Sequence, residues 1–376
     1  MIYLDNAATT LIKPDSVAAA VLDSFGHLGN AGRGVNDASL DASRSLYAAR
    51  ETAASLFNAA RPQQIAFTAN VTEALNMAVQ GLVRPSDRIV TTAADHNSVL
   101  RPCYLMREKG AELAIVPVDA QGRLDWQAFD DLVTPGTRMV VCTHASNVTG
   151  NIYDIGRIAQ LAHSRGALFV LDAAQTAGHE SIDVQALGLD VLCFTGHKGL
   201  YGPQGTGGLY VRPELEIQPL LAGGTGVQSY NPHQPPEMPT VLEAGTLNGP
   251  GIAGLQAGMR FVLETGPAAI GRRTERLAER FLAGLRRLRN ITLYGDFSGR
   301  RTAVVSLNLG HYDAAAVSDA LYADYGIATR AGAHCAPLMH EALGTKERGT
   351  VRFSFSWFNT EAEVDAAVQA LADLGA

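Results

Sequence analysis

From residue 65 onward the chain alternates short, continuously apolar runs with polar turns and stretches of helical spacing. The runs are Ile65-Ala66-Phe67-Thr68, Arg88-Ile89-Val90-Thr91-Thr92, Ala114-Ile115-Val116-Pro117-Val118, Arg138-Met139-Val140-Val141-Cys142-Thr143, Leu168-Phe169-Val170-Leu171-Asp172 and Val191-Leu192-Cys193-Phe194. Apolar runs without polar alternation predict strands buried on both faces, and helices between them predict a mainly parallel sheet. Ahead of this region the pattern predicts an extended Ile2-Tyr3-Leu4, a helix from about Pro14 to Phe25, and a flexible patch from Gly29 to Gly34. A long amphipathic helix follows, with Leu40, Leu46, Ala53, Leu56 and Phe57 near helical spacing. Beyond a turn-rich linker from Gly223 to Pro239, helices are expected from about Gly251 to Leu263 and from about Arg272 to Leu288. Strands are expected at Ile291 to Tyr294, Thr302 to Leu307 and Val351 to Ser354. The pattern divides the chain into a large α/β domain, residues 15–255, and a small α+β domain made of residues 1–14 and 256–376.

Composition narrows the function. A chain of 376 residues with 47% hydrophobic content buries a substantial core, and a net charge of -7 supplies no basic field for a nucleic acid. No apolar run approaches the roughly 18 residues that a spanning helix needs. The opening Met1-Ile2-Tyr3-Leu4-Asp5-Asn6 lacks the charged and apolar regions of a secretory leader. A cytoplasmic protein acting on a small molecule is expected, with neither membrane nor nucleic acid as partner. The four cysteines show no paired spacing, so neither a disulfide frame nor a metal site is expected. Cys103, Cys142 and Cys193 fall in apolar surroundings and read as core, whereas Cys335 has polar neighbours.

The chemistry gathers at the ends of the apolar runs. In Phe194-Thr195-Gly196-His197-Lys198-Gly199, a lone lysine follows a strand among small and hydroxylated residues. It reads either as a solvated loop lysine or as an amine that condenses with the aldehyde of pyridoxal phosphate, with Thr195 and His197 placed to bond the phosphate. Thr72, His96, Asn147, Asp172 and Lys198 each follow on, or close, one of the apolar runs, and ligands of parallel sheets gather at the carboxyl ends of strands. Thr72, with Asn70 and Val71 in the same strand-to-helix turn, offers a hydroxyl and free N–H groups to an anion. His96 offers a ring to stack on a pyridine face and to handle protons. A carboxylate at Asp172 needs a partner if buried, and a protonated pyridine nitrogen is one, because that charge keeps the ring an electron sink. Gln175 and Asn147 are candidates for the ring's phenolic oxygen, and Asn147 also for a substrate carboxylate. The small residues Ala7 and Ala8 let the backbone approach a ligand.

These residues carry a resemblance. Asp172-Ala173-Ala174-Gln175 followed by Thr195-Gly196-His197-Lys198 resembles the class V aminotransferase pattern of fold-type I. The opening Tyr3-Leu4-Asp5-Asn6-Ala7-Ala8-Thr9-Thr10, the turn Ala69-Asn70-Val71-Thr72-Glu73, Glu243-Ala244-Gly245-Thr246 and Arg330-Ala331-Gly332-Ala333-His334-Cys335-Ala336-Pro337 resemble cysteine desulfurases. The last of these is similar to the short-loop branch that includes sulfur-mobilisation desulfurases and selenocysteine lyases. The resemblance implies a fold-type I transferase, with a mainly parallel seven-stranded sheet and a small α+β domain. It implies pyridoxal 5'-phosphate on Lys198, L-cysteine or L-selenocysteine as substrate, Cys335 as sulfur acceptor and Arg352 as carboxylate clamp. It further implies a homodimer with Thr246 reaching the partner subunit's phosphate, and a sulfur-acceptor protein. The chain departs from the pattern at Asn36, where histidine is frequent, at Thr195, where serine is frequent, and at Phe358, where tyrosine is common.

Cys335 keeps three readings: a buried structural thiol, a metal ligand with His334 and His340, and the nucleophile that takes sulfur. The stretch 329–337 shows neither helical nor strand periodicity, so an irregular loop that delivers the thiol to a substrate is expected. Rival classes for the whole chain are a class V aminotransferase or C–S lyase, which would not need Cys335, and a non-enzymatic α/β binding module, which would not need Lys198.

Overall fold

The computed structural model describes residues 1–31 and 36–375. The tail of the expected flexible patch, residues 32–34, lies outside the described residues. The chain opens with the short strand β1 (Ile2–Tyr3) and two helices, α1 (Asp15–His27) and α2 (Asp37–Phe57). Asn36 caps α2, its side-chain oxygen accepting from the Ser39 N–H at 3.0 Å, which is the local use of the position where histidine was the familiar residue.

Strands and helices then alternate: β2 (Ile65–Thr68), α3 (Val71–Leu82), β3 (Arg88–Thr92), α4 (Asn97–Glu108), β4 (Glu112–Val116), α5 (Trp126–Leu132), β5 (Thr137–Thr143), α6 (Ile155–Ser164), β6 (Leu168–Asp172), β7 (Val191–Thr195) and β8 (Gly207–Val211). They form one seven-stranded sheet in the order β2-β8-β7-β6-β5-β3-β4. Every pairing is parallel except the two made by β8, which is antiparallel to β7 and to β2. The expected mainly parallel sheet is therefore present. The boundary of the third run differs: the strand expected at 114–118 occupies Glu112–Val116, because Pro117 has no N–H to extend a ladder. Helices cover both faces. Phe57, Phe129, Phe169 and Phe194 pack on one side, while Leu75, Val79, Ile89 and Val141 pack on the other, all at most 1% exposed.

The remaining elements are α7 (Gly249–Thr265), α8 (Pro267–Leu285), β9 (Ile291–Tyr294), β10 (Val304–Leu309), α9 (Ala314–Tyr325), β11 (Ile327–Ala328), β12 (Arg330–Gly332), α10 (Pro337–Ala342), β13 (Thr350–Ser354) and α11 (Glu361–Leu374). A four-stranded antiparallel sheet in the order β12-β13-β10-β9 packs on α8 and α11 around Phe281, Leu307, Phe353 and Leu371. Leu4 belongs to this second core and β1 pairs in parallel with β11, so the N-terminus is part of the small unit. The boundary expected after residue 255 falls inside α7, whose Ile252, Leu255 and Met259 all pack with Phe57 and Phe194 of the large core. We propose that the two units part at Gly266, which has φ 87° between α7 and α8.

Expected irregularity at 329–337 is only partly found. Arg330–Gly332 pairs with β13, and Pro337 opens α10, so the irregular segment shrinks to Ala333 through Ala336.

Candidate active site

The carboxyl ends of β2, β3, β5, β6 and β7 face one cleft of about 290 Å³ between the large sheet and β13. It is lined by Ala7, Asn70, Val71, Thr72, His96, Asn147, Asp172, Gln175, His197, Lys198 and Arg352, among others. Three residues singled out from sequence, Thr195, Thr246 and Cys335, do not line it.

Asp172 closes β6 and is 3% exposed; its Oδ1 accepts from the Ala174 N–H at 2.9 Å. Burial pushes its pKa up, while that N–H and the charge of Lys198 pull it down. Lys198 follows β7 in a tight loop closed by Gly202 N–H to Gly196 O at 2.8 Å and Tyr201 N–H to Lys198 O at 3.0 Å. Glycine at 199 is required there, since a Cβ would stand 2.4 Å from Ala177 O. No side-chain hydrogen bond holds the Lys198 amine among the described residues, and loss of hydration lowers its pKa to about 8, with Asp172 opposing the shift.

The first turn of α3 stands beside the lysine loop. Asn70 caps it, accepting from the Glu73 N–H at 3.0 Å, and the helical N–H groups that follow have no partner within the helix. β8 approaches this cap so closely that Gly207 could not carry a Cβ, which would lie 2.8 Å from the Asn70 Cα. His96 caps α4 with its ring, Nδ1 accepting from the Ser98 N–H at 3.0 Å. A backbone N–H only donates, so the neutral ring carries its proton on Nε2. Burial lowers the His96 pKa to about 4, with further contributions from Lys198, Arg352, Arg330 and Arg101. Burial lowers His197 to about 4 as well.

Arg352 projects from β13 at 2% exposure, giving Nη2 to Asp5 at 2.8 Å and Nη1 to Asn147 O at 3.1 Å, and its buried Nε has no partner among the described residues. Asn147 in turn donates to His334 O at 2.7 Å, and Gln175 donates to Ala7 O at 3.2 Å. The N-terminal segment is a clamp across the cleft. Thr10 N–H meets His197 O at 2.9 Å, Ala7 N–H meets Ser354 Oγ at 2.8 Å, and Asp5 holds Arg352.

Cys335 is exposed, at φ 57°, directly after His334 at φ 48°. Its carbonyl accepts from the Asn97 N–H at 2.7 Å, so the turn is pinned to α4 one residue beyond His96. His334 lines the cleft, donates through Nε2 to Arg330 O at 3.1 Å and stacks on His340 with centroids 5.7 Å apart. Thr246 is exposed, beyond a buried ion pair in which Glu243 meets both Nη atoms of Arg50 at 2.6 and 2.5 Å. Phe358 sits away from the cleft, stacked on Phe261 and edge-on to Tyr201.

Sequence reasoning passed over Ser98, Asp5 and Asp95. Ser98 lines the cleft, with its hydroxyl 2.7 Å from Thr72 Oγ1 and 2.9 Å from His96 Nδ1; its signal was a serine inside a helix start that already had a cap. Asp95 is fully buried and accepts from Thr91 Oγ1, Thr92 N and Thr92 Oγ1 at 2.8 Å and from Thr143 N at 2.6 Å, which ties the end of β3 to the end of β5.

A lysine and a carboxylate at neighbouring strand ends, beside an open helix N-terminus on this two-domain α/β frame, define a fold-type I pyridoxal-phosphate-dependent transferase. The chain belongs to the aminotransferase class-V family, whose model matches residues 2–367. It is similar to a probable cysteine desulfurase of Methanothermobacter thermautotrophicus, 36% identical over 99% of this chain and 94% of that protein. It is likewise 36% identical to the Escherichia coli cysteine desulfurase CsdA, over 98% of this chain and 93% of that one. Among solved structures, the apo cysteine desulfurase of Thermococcus onnurineus NA1 superposes with a TM-score of 0.93 at 34% identity, covering 99% of this chain and 94% of the other. Escherichia coli CsdA in an S-sulfonic acid form superposes with a TM-score of 0.89 at 33% identity, covering 99% and 94%.

Proposed function

We propose that this chain is a pyridoxal-phosphate-dependent cysteine desulfurase that converts L-cysteine to L-alanine and leaves sulfur as a persulfide on Cys335. The observation that carries the reading is an exposed cysteine on a turn pinned, through Asn97 and Asn147, to the rim of the cleft that holds Lys198 and Arg352. The similarity to cysteine desulfurases over nearly the whole chain supports it.

The residues present fit the cofactor. Among the described residues, His197 Nδ1, in the cleft with Asn70, Val71 and Thr72, and Thr195 Oγ1, at the end of β7, are buried polar atoms without partners, a demand that a phosphate meets. Asn70, Val71, Thr72, Thr195 and His197 would hold that phosphate, and Thr246 would reach the one in the partner subunit. Lys198 would anchor the aldehyde, His96 would lie against the ring, and Asp172, Gln175 and Asn147 would meet its polar atoms. Pyridoxal phosphate, when bound, supplies an electron sink at the substrate's α-carbon.

The chain's own groups then divide the work. Arg352, with Ala7 and Asn147 beside it, binds the substrate carboxylate; Asp5 and the Asn147 carbonyl engage only two of the five guanidinium N–H groups, which leaves donors for it. Lys198 Nζ takes the α-proton, a task suited to an amine whose pKa is lowered to about 8. The Cys335 Sγ, as thiolate, attacks the substrate sulfur. An S–S bond forms, the substrate C–S bond breaks with its electron pair left on carbon, that carbon takes a proton, and alanine leaves. No outside oxidant is consumed.

An exposed Cys335 suits delivery to an acceptor protein in the cytoplasm. A homodimer is supported by apolar side chains left bare on α1, Leu22 at 71% and Phe25 at 73% exposure, together with Leu11 and Ile12. Mass spectrometry after incubation with cysteine tests the central claim: a gain of one sulfur on the peptide containing Cys335 is expected. Alanine and sulfide released with Cys335 unmodified, and at undiminished rate in Cys335→Ser, would make the chain a lyase.

A further inference from the structure

The hydroxyl of Ser98 occupies the cleft wall between two groups that the proposed function uses for different ends, Thr72 and His96. Hydrogen-bond directions in this cluster are not free. His96 Nδ1 accepts from the Ser98 N–H at 3.0 Å, so it bears no proton. The contact of the same Nδ1 with Ser98 Oγ at 2.9 Å is then attractive only when the serine hydroxyl donates to it. A hydroxyl has one hydrogen. With that hydrogen spent on His96, the 2.7 Å contact between Ser98 and Thr72 must be a donation from Thr72. In this arrangement Thr72 turns lone pairs toward the cleft.

An anion at the first turn of α3 demands the opposite. Phosphate oxygens accept, so Thr72 must swing its hydrogen toward the anion, Ser98 must then donate to Thr72, and His96 Nδ1 loses the second of its two donors. We propose that Ser98 is a positioning residue that couples occupancy of the phosphate site to the hydrogen bonding of the His96 ring through the chain Thr72, Ser98, His96. The inference rests on the reading of the α3 turn as the phosphate site. Its consequence is that His96 Nδ1 becomes more basic when the phosphate arrives, since a donor that favours the neutral ring is withdrawn. By linkage, whatever fixes the ring nitrogen also changes phosphate affinity. The charged groups acting on His96 are Lys198, Arg352, Arg330 and Arg101, none of them part of the chain, so they set its baseline and not the response.

The test uses the full-length chain freed of cofactor, labelled with nitrogen-15 histidine, and inorganic phosphate as probe so that no ring stacks on His96. Phosphate should compete with pyridoxal phosphate loading and move the His96 Nδ1 resonance toward a less hydrogen-bonded position. In Ser98→Ala that displacement should be lost and the phosphate dissociation constant should change by about fivefold, the scale of one hydrogen bond. Ser98→Thr, which keeps the hydroxyl, should restore both. A wild-type Nδ1 resonance that ignores saturating phosphate, or a Ser98→Ala protein that responds like wild type, overturns the coupling while leaving the phosphate site standing. Failure of phosphate to compete with cofactor loading would instead overturn the phosphate site itself, and the coupling with it.

Discussion

The amine of Lys198 should be a free base at a pH where an ordinary lysine is not, and cofactor loading is the reaction that reports it. Burial lowers its pKa from 10.5 to about 8 even though Asp172 pulls the other way. A lysine at 10.5 is unprotonated in roughly one molecule in three thousand at pH 7, and one at 8 in about one in ten, so the local environment multiplies the reactive fraction roughly 300-fold. The direction is unambiguous: the charged form is the one that burial penalises, so the amine loses its proton early as pH rises. Addition of the cofactor aldehyde to the cofactor-free chain, followed by its visible absorption band, should therefore accelerate about tenfold per pH unit below pH 8 and level off above it. Asp172→Asn removes the charge that raises the lysine pKa and should move the bend to lower pH. A simple amine of known pKa, run in parallel, removes the cofactor's own ionisation from the profile. A rate that climbs without bending past pH 9 would mean that the amine keeps its ordinary affinity for protons, and that the cleft does not desolvate it.

Lys198→Ala should fold and yet hold no borohydride-fixable cofactor, read by mass spectrometry of the reduced protein. Asp172→Ala should keep covalently held cofactor but lose substrate α-proton exchange with deuterated solvent by orders of magnitude, because an unprotonated ring is a weak electron sink. Asp95→Ala leaves the Thr92 and Thr143 N–H groups buried without an acceptor and should cost about 3 kcal/mol or more in urea unfolding, with a matching fall in cofactor affinity as the β3 and β5 ends loosen. Glu243→Ala strands the Arg50 guanidinium, 9% exposed, and should destabilise by about 3–5 kcal/mol, whereas replacing both partners with apolar residues should recover much of the loss.

What could be read from sequence follows from how each signal is generated. Strands buried on both faces are continuously apolar, so β2, β3, β5, β6 and β7 announce themselves, and the polar residues that end or closely follow these runs are placed at the cleft by topology. β8 carries no such signal. It begins Gly207-Gly208, because Gly207 must clear the cap of α3, and the need for a small residue erased the strand pattern. Asp5 and Ser98 were illegible for a different reason: their roles depend on partners 347 and 26 residues away, a separation that no local pattern encodes. The expected division at residue 255 falls within α7, a helix whose Ile252, Leu255 and Met259 pack in the large core, a membership that composition does not reveal.

The turn that carries Cys335, the proposed nucleophile, is both exposed and held. His334 and Cys335 are consecutive non-glycine residues in the left-handed region, at φ 48° and 57°, a conformation that costs of order 1 kcal/mol or more per residue and persists only where surroundings impose it. The impositions are visible: Asn147 holds the His334 carbonyl, Asn97 holds the Cys335 carbonyl, β12 fixes the entry and α10 the exit. A long mobile loop would pay an entropy cost each time it brought a thiol to a substrate. This four-residue turn pays in backbone strain instead, once, at folding. It follows that Asn147→Ala should impair sulfur transfer more than cofactor binding, because it releases the anchor of the turn while leaving Lys198, Asp172 and the α3 turn in place. Single-turnover measurements separate the two: α-proton exchange should stay within a few-fold of wild type while persulfide formation slows about tenfold or more, the effect of about 1.4 kcal/mol on that step alone. Equal losses in both steps would show that the hydrogen bond from Asn147 to the His334 carbonyl does not control delivery of the thiol, and that the proposed contacts of Asn147 with cofactor and substrate carboxylate account for its whole effect.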